Sequence, residues 1–308
     1  MKKHLLFLSW VSAFVFNAAD VVAQAKTSKP GGGVTQPMLQ SWMSPELTDA
    51  WNSGFKGQGV KITVVDDFSS GSRLWGNLGG GNARLRHGEW TYQEASMIAP
   101  LASMGKHDFN SGRTVPLAQG LNVLNLSYGM YAKGGYSAGQ IGWSPQENSI
   151  INYANGGKAV IAKAAGNDAV PIGGVNASGN VDYLNLALKS SLSAIYVGAL
   201  SKNGTPSSPA SLASYSNTAG ADGVVQGRFL VVGVEGNKTG LHGTSFAAPI
   251  VSGYAAVVGS KFTSATPTQV SNRLLSTARG DTVLGYNPQL HGKGEASITR
   301  ALAPVSIQ

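Results

Sequence analysis

The segment from His242 to Pro249 has the sequence His-Gly-Thr-Ser-Phe-Ala-Ala-Pro, and small apolar residues continue from it to Val258. This pattern predicts a sharp turn that leads into a buried helix, with Ser245 in the first turn. Backbone N–H groups at a helix start have no intrahelical acceptor, and the helix dipole favours negative charge there. A reachable hydroxyl beside such donors is what an acyl-transfer nucleophile needs. The simpler alternative is a serine that only caps the helix.

Two earlier stretches carry side chains that could exchange a proton with such a serine. Asp66 and Asp67 end a β-branched run that begins at Gly59, and sites in open α/β sheets lie at this carboxyl edge of the strands. An Asp pair at a strand end also suits a plain turn. His87 precedes Gly88 and a predicted helix, and the near-neutral pKa of histidine suits a general base. Taken alone, a histidine in such a place is more often structural.

These side chains need a scaffold, and the chain alternates apolar strands with helices in the manner of an α/β fold. Strands are predicted at residues 59–67, 122–129, 159–162, 193–199 and 229–234. Helices are predicted at residues 44–51, 89–100, 148–155, 245–258 and 266–277. No element is predicted within residues 100–121.

The pattern Gly-Thr-Ser-x-Ala-x-Pro at residues 243–249 resembles the nucleophile segment of the subtilisin-like serine peptidases, peptidase family S8. Subtilisins carry their catalytic residues in the chain order Asp, His, Ser. The resemblance therefore assigns Ser245 as nucleophile, His87 as general base and Asp66 as the carboxylate that orients the histidine. Asp66 is chosen over Asp67 because the family places its aspartate directly after the apolar strand.

The resemblance also implies the remaining parts of a peptidase site. Residues 164–167, Ala-Ala-Gly-Asn after a predicted strand, resemble the family's oxyanion segment. Asn167 would then donate a side-chain N–H to the tetrahedral oxyanion, together with the backbone N–H of Ser245. In the family, the matching strand edges pair with substrate backbone. The substrate-binding residues expected on this ground are Ser127, Tyr128, Gly129, Ala165 and Gly166.

The flanks of two catalytic positions depart from the family pattern. Asp67 and Phe68 stand where the family has a small residue and a glycine, and Glu89 and Trp90 replace its usual Thr-His pair. These departures support an alternative, a catalytically inactive protein that keeps the fold as a binding or scaffold protein. A third hypothesis is the related sedolisin arrangement, with Glu in place of the His and Asp in place of the Asn. The residue types at both positions argue against it.

The resemblance covers roughly residues 42–303 and implies an α/β, subtilisin-like three-layer fold with a central mostly parallel sheet and helices on both faces. One catalytic domain is expected at residues 42–308. Residues 1–25 combine a basic start, a short apolar run and an Ala-x-Ala site, the pattern of a secretory signal peptide. Residues 26–41 are rich in Gly, Pro, Lys and Ser and predict a flexible linker. The expected location is therefore secreted or periplasmic, in a bacterium.

The composition narrows the range of partners. The net charge is +8, but only 12% of residues are charged, so it reflects scarce acids more than basic clusters. No Lys/Arg run is interleaved with aromatic residues, so nucleic acid is not an expected partner. The expected partner is a protein or peptide substrate, and the chain is expected to be a monomer without a stable membrane anchor, since the apolar run of the leader is too short to span a bilayer.

The sequence contains no cysteine, which excludes disulfides and thiol chemistry. Members of the resembled family often bind structural calcium in a long loop after the histidine helix. That loop is short here, and it contains no run of Asp and Asn oxygen ligands. No cofactor and no metal are therefore expected.

Overall fold

The computed structural model describes residues 37–307, so the predicted signal peptide and most of the predicted linker lie outside the described residues. The strands in this range are β1 (Val60–Asp66), β2 (Leu74–Gly76), β3 (Ala83–Leu85), β4 (Ser103–Asp108), β5 (Leu121–Leu126), β6 (Tyr131–Lys133), β7 (Val160–Ala164), β8 (Asn180–Asp182), β9 (Ala194–Leu200) and β10 (Phe229–Gly233). The helices are α1 (Glu46–Asn52), α2 (His87–Ile98), α3 (Pro145–Asn155), α4 (Tyr183–Leu188), α5 (Gly223–Arg228), α6 (Gly236–Thr239), α7 (Ala248–Lys261), α8 (Pro267–Thr277), α9 (Pro288–His291) and α10 (Ile298–Leu302).

Six of the strands form one sheet in the order β10-β9-β7-β5-β1-β4, and every pairing in it is parallel. Successive side chains of a strand point to opposite faces. In β1, Ile62 and Val64 therefore enter one hydrophobic core and Val65 enters the other. Helices α1, α2, α7, α8 and α10 cover the first face, and α3, α4 and α5 cover the second. This arrangement confirms the predicted three-layer α/β fold.

The edge strand β4 is absent from the predicted elements. Its side chains are exposed or half-buried throughout, and its sequence, Ser-Met-Gly-Lys-His-Asp, has no apolar run. A strand whose faces stay partly exposed to solvent needs no continuous apolar stretch. Its partner β1 holds it in parallel register from Lys61 opposite Ser103 to Asp66 opposite Asp108.

Helix α7 lies almost wholly inside the protein and packs against α2 and the sheet. The contact with α2 is close because Gly253 has no side chain: a Cβ there would stand 2.3 Å from Cγ2 of Ile98. The order of the strands places the site segments as well, since the parallel strands β7, β5 and β1 are adjacent and end at the same edge of the sheet. The segments that follow these strands, and the first residues of α2 and α7, are thereby brought together at one edge of the sheet.

Candidate active site

The first pair at this edge joins Asp66, the last residue of β1, to His87, the first residue of α2. The Nδ1–H of His87 donates to Oδ1 of Asp66 at 2.6 Å. Asp66 is fully buried, whereas the side chain of His87 keeps 17% of its surface exposed. The buried carboxylate of Asp66 therefore holds the Nδ1 edge of the imidazole, and Nε2 is left to exchange a proton with another group.

The start of α2 is pinned to the end of β1 by Gly88. Its N–H donates to the carbonyl of Asp67 at 3.1 Å. A Cβ on Gly88 would stand 2.6 Å from that same oxygen, so a larger residue would push the helix away. Glycine after the histidine is thus what lets His87 reach Asp66.

Asp66 has two further donors. Its own neighbour Asp67 donates a backbone N–H to Oδ1 at 2.6 Å, and the hydroxyl of Thr91 donates to Oδ2 at 2.9 Å. Thr91 lies four residues after His87, on the same face of α2. Sequence reasoning missed this residue, although the four-residue spacing was a signal that could have found it.

The carboxylate of the neighbouring Asp67 closes a local turn. It accepts from the N–H groups of Ser69 and Ser70 at 3.2 and 2.8 Å, and from the Ser70 hydroxyl. Burial opposes ionisation of Asp67, but the hydrogen bonds from Ser70 and Ser69 outweigh it and lower the pKa of Asp67. The two adjacent aspartates therefore have different partners.

Glu89 and Trp90, the unusual flank of His87, both have structural partners. The Glu89 carboxylate accepts the backbone N–H of Arg86 at 2.8 Å, an N-terminal capping contact that satisfies a free donor of α2. The buried Trp90 indole donates to the carbonyl of Leu74 at 3.0 Å and ties α2 to β2. These residues hold the start of α2 in place.

The environment of His87 favours its charged form. Burial alone would lower the pKa of His87, but the charge and hydrogen bond of Asp66, with a smaller contribution from the charge of Asp67, outweigh burial and raise that pKa above the ordinary 6.5. The ring also packs against Phe246, with ring centroids 5.5 Å apart. His87 is thereby placed beside the residue that follows Ser245.

Ser245 lies in a 3-10 turn, Thr244–Phe246, which precedes α7. The sequence predicted it in the first turn of that helix, and this prediction is wrong. The reason is Pro249, which has no N–H to donate to the carbonyl of Ser245 four residues earlier. The hydroxyl of Ser127 takes that place and donates to the Ser245 carbonyl at 2.8 Å. In return, the Ser245 hydroxyl donates to the carbonyl of Ser127 at 3.2 Å.

Asn167 is joined to the serine turn through Thr244. Its Oδ1 accepts from the N–H of Thr244 at 2.8 Å and from the Thr244 hydroxyl at 3.0 Å, while the Thr244 hydroxyl accepts the N–H of Gly166 at 3.1 Å. With its oxygen engaged, Asn167 presents its Nδ2 to the cleft. Within residues 37–307, neither this Nδ2 nor the backbone N–H of Ser245 has an acceptor. Both donors are available to an oxyanion.

Gly243 sets the distance between these two segments. Its φ of 121° and ψ of 155° belong to a region that is essentially restricted to glycine. A Cβ there would also stand 3.2 Å from Nδ2 of Asn167. The glycine before the Thr-Ser pair is thus required twice, by the backbone and by the neighbouring amide.

Asn217 lies outside the loop that follows β7 and holds that loop by hydrogen bonds. Sequence reasoning gave it no role. Its Nδ2 donates to the carbonyl of Ala165 at 3.0 Å, and its Oδ1 accepts the N–H groups of Asp168 and Val170 at 2.9 and 3.2 Å. The backbone N–H of Asn217 donates to the carbonyl of Gly166 at 2.9 Å. No local pattern around residue 217 indicates this task, because its partners lie about fifty residues earlier in the chain.

The expected substrate-binding residues divide into two groups. Those that line a cleft together with Ser245 and Asn167 are Ser127, Tyr128, Gly129 and Gly166. Ala165 differs: it is fully buried, and its carbonyl accepts the side-chain amides of Asn185 and Asn217. Its position is behind the cleft wall.

Of the three other histidines within residues 37–307, His242 is exposed and the remaining two have local partners. His107 contacts the carbonyl of Arg113 through Nε2, and the buried His291 lies against Tyr286. Across the same range, no three His, Cys, Asp or Glu side chains form a group suited to a metal ion. The absence of a metal requirement stays a prediction.

Comparison with known proteins identifies the family. The sequence profile of the Subtilase family (peptidase S8) matches residues 77–296. Subtilisin NAT of Bacillus subtilis subsp. natto is 30% identical over 273 residues, an alignment that covers 81% of this chain and 67% of that protein. This chain belongs to the subtilase family. It is a serine-type peptidase, and its substrates are proteins or peptides.

Solved structures agree with the fold of a subtilase. The crystal structure of a lanthipeptide protease superposes with a TM-score of 0.56 at 17% identity, covering 85% of this chain and 93% of the other. The crystal structure of MycP1 from the ESX-1 type VII secretion system superposes with a TM-score of 0.54 at 20% identity, covering 84% of both chains. Among the described residues of this subtilase, no helix is both long and apolar enough to cross a membrane.

Proposed function

We propose that this subtilase is an exported endopeptidase that cleaves peptide bonds with Asp66, His87 and Ser245. The observation that carries the proposal is the 2.6 Å hydrogen bond from the partly exposed imidazole of His87 to the buried carboxylate of Asp66. A carboxylate in this position selects the tautomer that carries its proton on Nδ1, so that Nε2 is free to accept a proton from a hydroxyl. Ser245, in the turn that packs against His87 through Phe246, supplies that hydroxyl.

In this mechanism the Ser245 hydroxyl attacks the scissile carbonyl while Nε2 of His87 takes its proton. His87 then passes the proton to the leaving amine. Asp66 stabilises the charged imidazole through both steps and stays ionised. Nδ2 of Asn167 and the N–H of Ser245 hold the negative charge that develops on the carbonyl oxygen. A water molecule hydrolyses the acyl-enzyme by the same proton relay.

The nucleophile must change its hydrogen bond to react. In the structure its hydroxyl donates to the carbonyl of Ser127. The proposed reaction requires rotation about the Cα–Cβ bond of Ser245 to another staggered position, so that the hydroxyl can donate to Nε2 of His87. Catalytic hydrogen bonds of substrate-free enzymes often form fully only in the substrate complex.

The competing function is a binding protein that keeps the subtilase fold without turnover, and the resting bond from Ser245 to Ser127 is the observation that favours it. The experiment that separates the two uses casein as substrate and a fluorophosphonate as probe of the nucleophile. The wild-type protein is expected to hydrolyse casein and to be labelled on Ser245. The Ser245→Ala and His87→Ala variants are expected to do neither. A folded wild-type protein that neither cleaves nor labels would contradict the proposal.

Export is part of the proposal and rests on the leader pattern at residues 1–25. Expression of the full chain in a bacterium is expected to release a shortened protein into the periplasm or medium. Its first residue should be Lys26, or Gln24 if cleavage follows Ala23. A full-length protein retained in the cytoplasm would contradict export and leave the catalytic proposal intact.

A further inference from the structure

The cleft in front of Ser245 and Asn167 extends between two walls, formed by Gly129 after β5 and by Gly166 after β7. His87 does not line it. In the proposed function His87 delivers a proton to the leaving amine, so the leaving part of the substrate lies toward His87. The space between the two glycines therefore faces the acyl residue, which is the residue whose carbonyl Ser245 attacks.

The ring of Tyr131 lies across this space. A Cβ added to Gly129 would stand 2.5 Å from the Tyr131 ring, and one added to Gly166 would stand 3.5 Å from the Tyr131 hydroxyl. The ring therefore reaches from one wall to the other. Its backbone is held in the antiparallel pair of β6 and β8, where Tyr131 lies opposite Asp182.

The hydroxyl end of Tyr131 is also tied down. It donates to Oδ2 of Asp168 at 3.2 Å, and Oδ1 of Asp168 accepts from Asn176 at 3.1 Å. Burial, together with the charges of Asp182 and Asp168, raises the pKa of Tyr131, so the phenol stays a neutral donor. Tyr131 is thus fixed at its backbone, its ring and its hydroxyl.

Besides Tyr131, the cleft is lined by Lys163, which belongs to a buried ion pair with Asp182. Nζ of Lys163 donates to Oδ2 of Asp182 at 3.0 Å and to the carbonyl of Ala164 at 2.6 Å. Oδ1 of Asp182 accepts the backbone N–H groups of Met130 and Leu184 at 2.9 and 3.1 Å. Because Asp182 offsets the charge of Lys163, the lysine gives the cleft no strong preference for an acidic side chain.

The remaining space is small. The pocket between these walls has a volume of about 130 Å³. An engineered cavity of about 150 Å³ in another protein holds one benzene molecule. The cleft must also take the backbone and carbonyl of the acyl residue, because Ser245 and Asn167 line it. Little room is left for the side chain of that residue.

We propose that Tyr131 closes the acyl-residue pocket and restricts this peptidase to cleavage after residues with small side chains, namely glycine, alanine and serine. The inference rests on the proposed function. It assigns to Tyr131 a role in specificity and not in the chemical step.

The test is a digest of denatured casein by the wild type, Tyr131→Phe and Tyr131→Ala, with the new C-terminal residues identified by mass spectrometry. Wild type and Tyr131→Phe, which keeps the ring, are expected to cleave after small residues. Tyr131→Ala is expected to raise the ratio of cleavage after Leu, Met and Phe to cleavage after Gly, Ala and Ser by about tenfold or more, since filling a hydrophobic pocket is worth about 10–200-fold in specificity. Tyr131→Leu serves as a second opening variant if Tyr131→Ala does not fold.

Frequent wild-type cleavage after Leu, Met or Phe would overturn the inference. So would an opening variant that is folded and active and keeps the wild-type ratio. Fluorophosphonate labelling of Ser245 separates these results from failure of the proposed function. A protein that is neither labelled nor active would contradict both proposals, whereas a labelled, active enzyme with an unchanged ratio would contradict only the role of Tyr131.

Discussion

Ser127 and Ser245 exchange hydrogen bonds: each hydroxyl donates to the other's carbonyl, at 2.8 Å from Ser127 and 3.2 Å from Ser245. The first bond satisfies a carbonyl that Pro249 cannot reach with a backbone donor. The second keeps the nucleophile hydroxyl in a defined resting position. Ser127 thus belongs to the support of the nucleophile as well as to the cleft wall.

Ser127→Ala is expected to lower the free energy of unfolding by about 1–2 kcal/mol, because the carbonyl of Ser245 loses its partner. We also expect kcat on casein to fall about tenfold, since small misplacements of reacting groups are costly. Urea unfolding and initial rates measure both effects. Ser276→Ala, which removes an exposed helical hydroxyl, is the matched control. Unchanged stability in Ser127→Ala would show that the Ser127 hydroxyl does not support the turn.

Asp66→Asn is expected to reduce kcat by about 10⁴-fold, the loss found when the carboxylate of a serine-peptidase triad becomes an amide. The adjacent Asp67→Asn is the matched control, because Asp67 bonds to Ser69 and Ser70 and not to His87. Its kcat at the optimal pH is expected to stay within a few-fold of the wild type. Equal losses in both variants would argue that Asp66 has no special part in catalysis.

The acid side of the pH profile depends on His87, which must be neutral to accept a proton. Because the pKa of His87 is raised above 6.5, kcat/KM is expected to fall with a midpoint above pH 6.5 as the solution is acidified. Asp67→Asn removes one of the charges that raise this pKa, so its midpoint should move to lower pH. A midpoint that moves to higher pH would contradict this assignment.

Asn167→Ala is expected to lower kcat by about 10²–10³-fold with little change in KM, the range measured when such a donor is removed from a subtilisin. Thr244→Val keeps the amide and removes only the hydroxyl that donates to it, so a smaller loss is expected there. Initial rates on casein at several concentrations separate kcat from KM. A change in Asn167→Ala confined to KM would indicate ground-state binding in place of oxyanion stabilisation.

Glu295, which lies away from the site, makes the free energy of unfolding depend on pH. It is 7% exposed, and burial raises its pKa from 4.5 to about 7, although contacts from Thr282 and Gly204 lower it in part. Between pH 4.5 and 7, the native state therefore holds a proton that the unfolded chain has already released. The free energy of unfolding should fall as the pH rises through that range. A shift of this size corresponds to about 3 kcal/mol.

Glu295→Gln keeps an oxygen for the N–H of Gly204 and removes the titration. We expect the wild type to lose stability to urea between pH 5 and pH 8. In Glu295→Gln this loss of free energy should be smaller by about 3 kcal/mol. The difference between the two proteins isolates Glu295 from other groups that titrate in the same range. Parallel pH dependence in both proteins would rule this assignment out.

Much of the fold was predictable because its signals are local. Apolar β-branched runs indicated the buried strands β1, β5, β7, β9 and β10, since a strand covered on both faces needs such a run. The same reasoning does not find the strand β4, because its partly exposed side chains do not need such a run. Lys163 was placed after its strand, although it lies inside β7, where Asp182 on a distant segment offsets the cost of burying a charge.

The sequence by itself determined the family, the alternation of strands and helices, and the residue types at the site, because those depend on neighbours along the chain. Only the tertiary structure decided that Asn217 holds the loop after β7, that Ser127 holds the turn of Ser245, and that Tyr131 crosses the cleft. Those relationships join segments up to 118 residues apart, as in the pair of Ser127 and Ser245. Contacts of that kind follow from how strands and helices pack in three dimensions, and no local pattern encodes them.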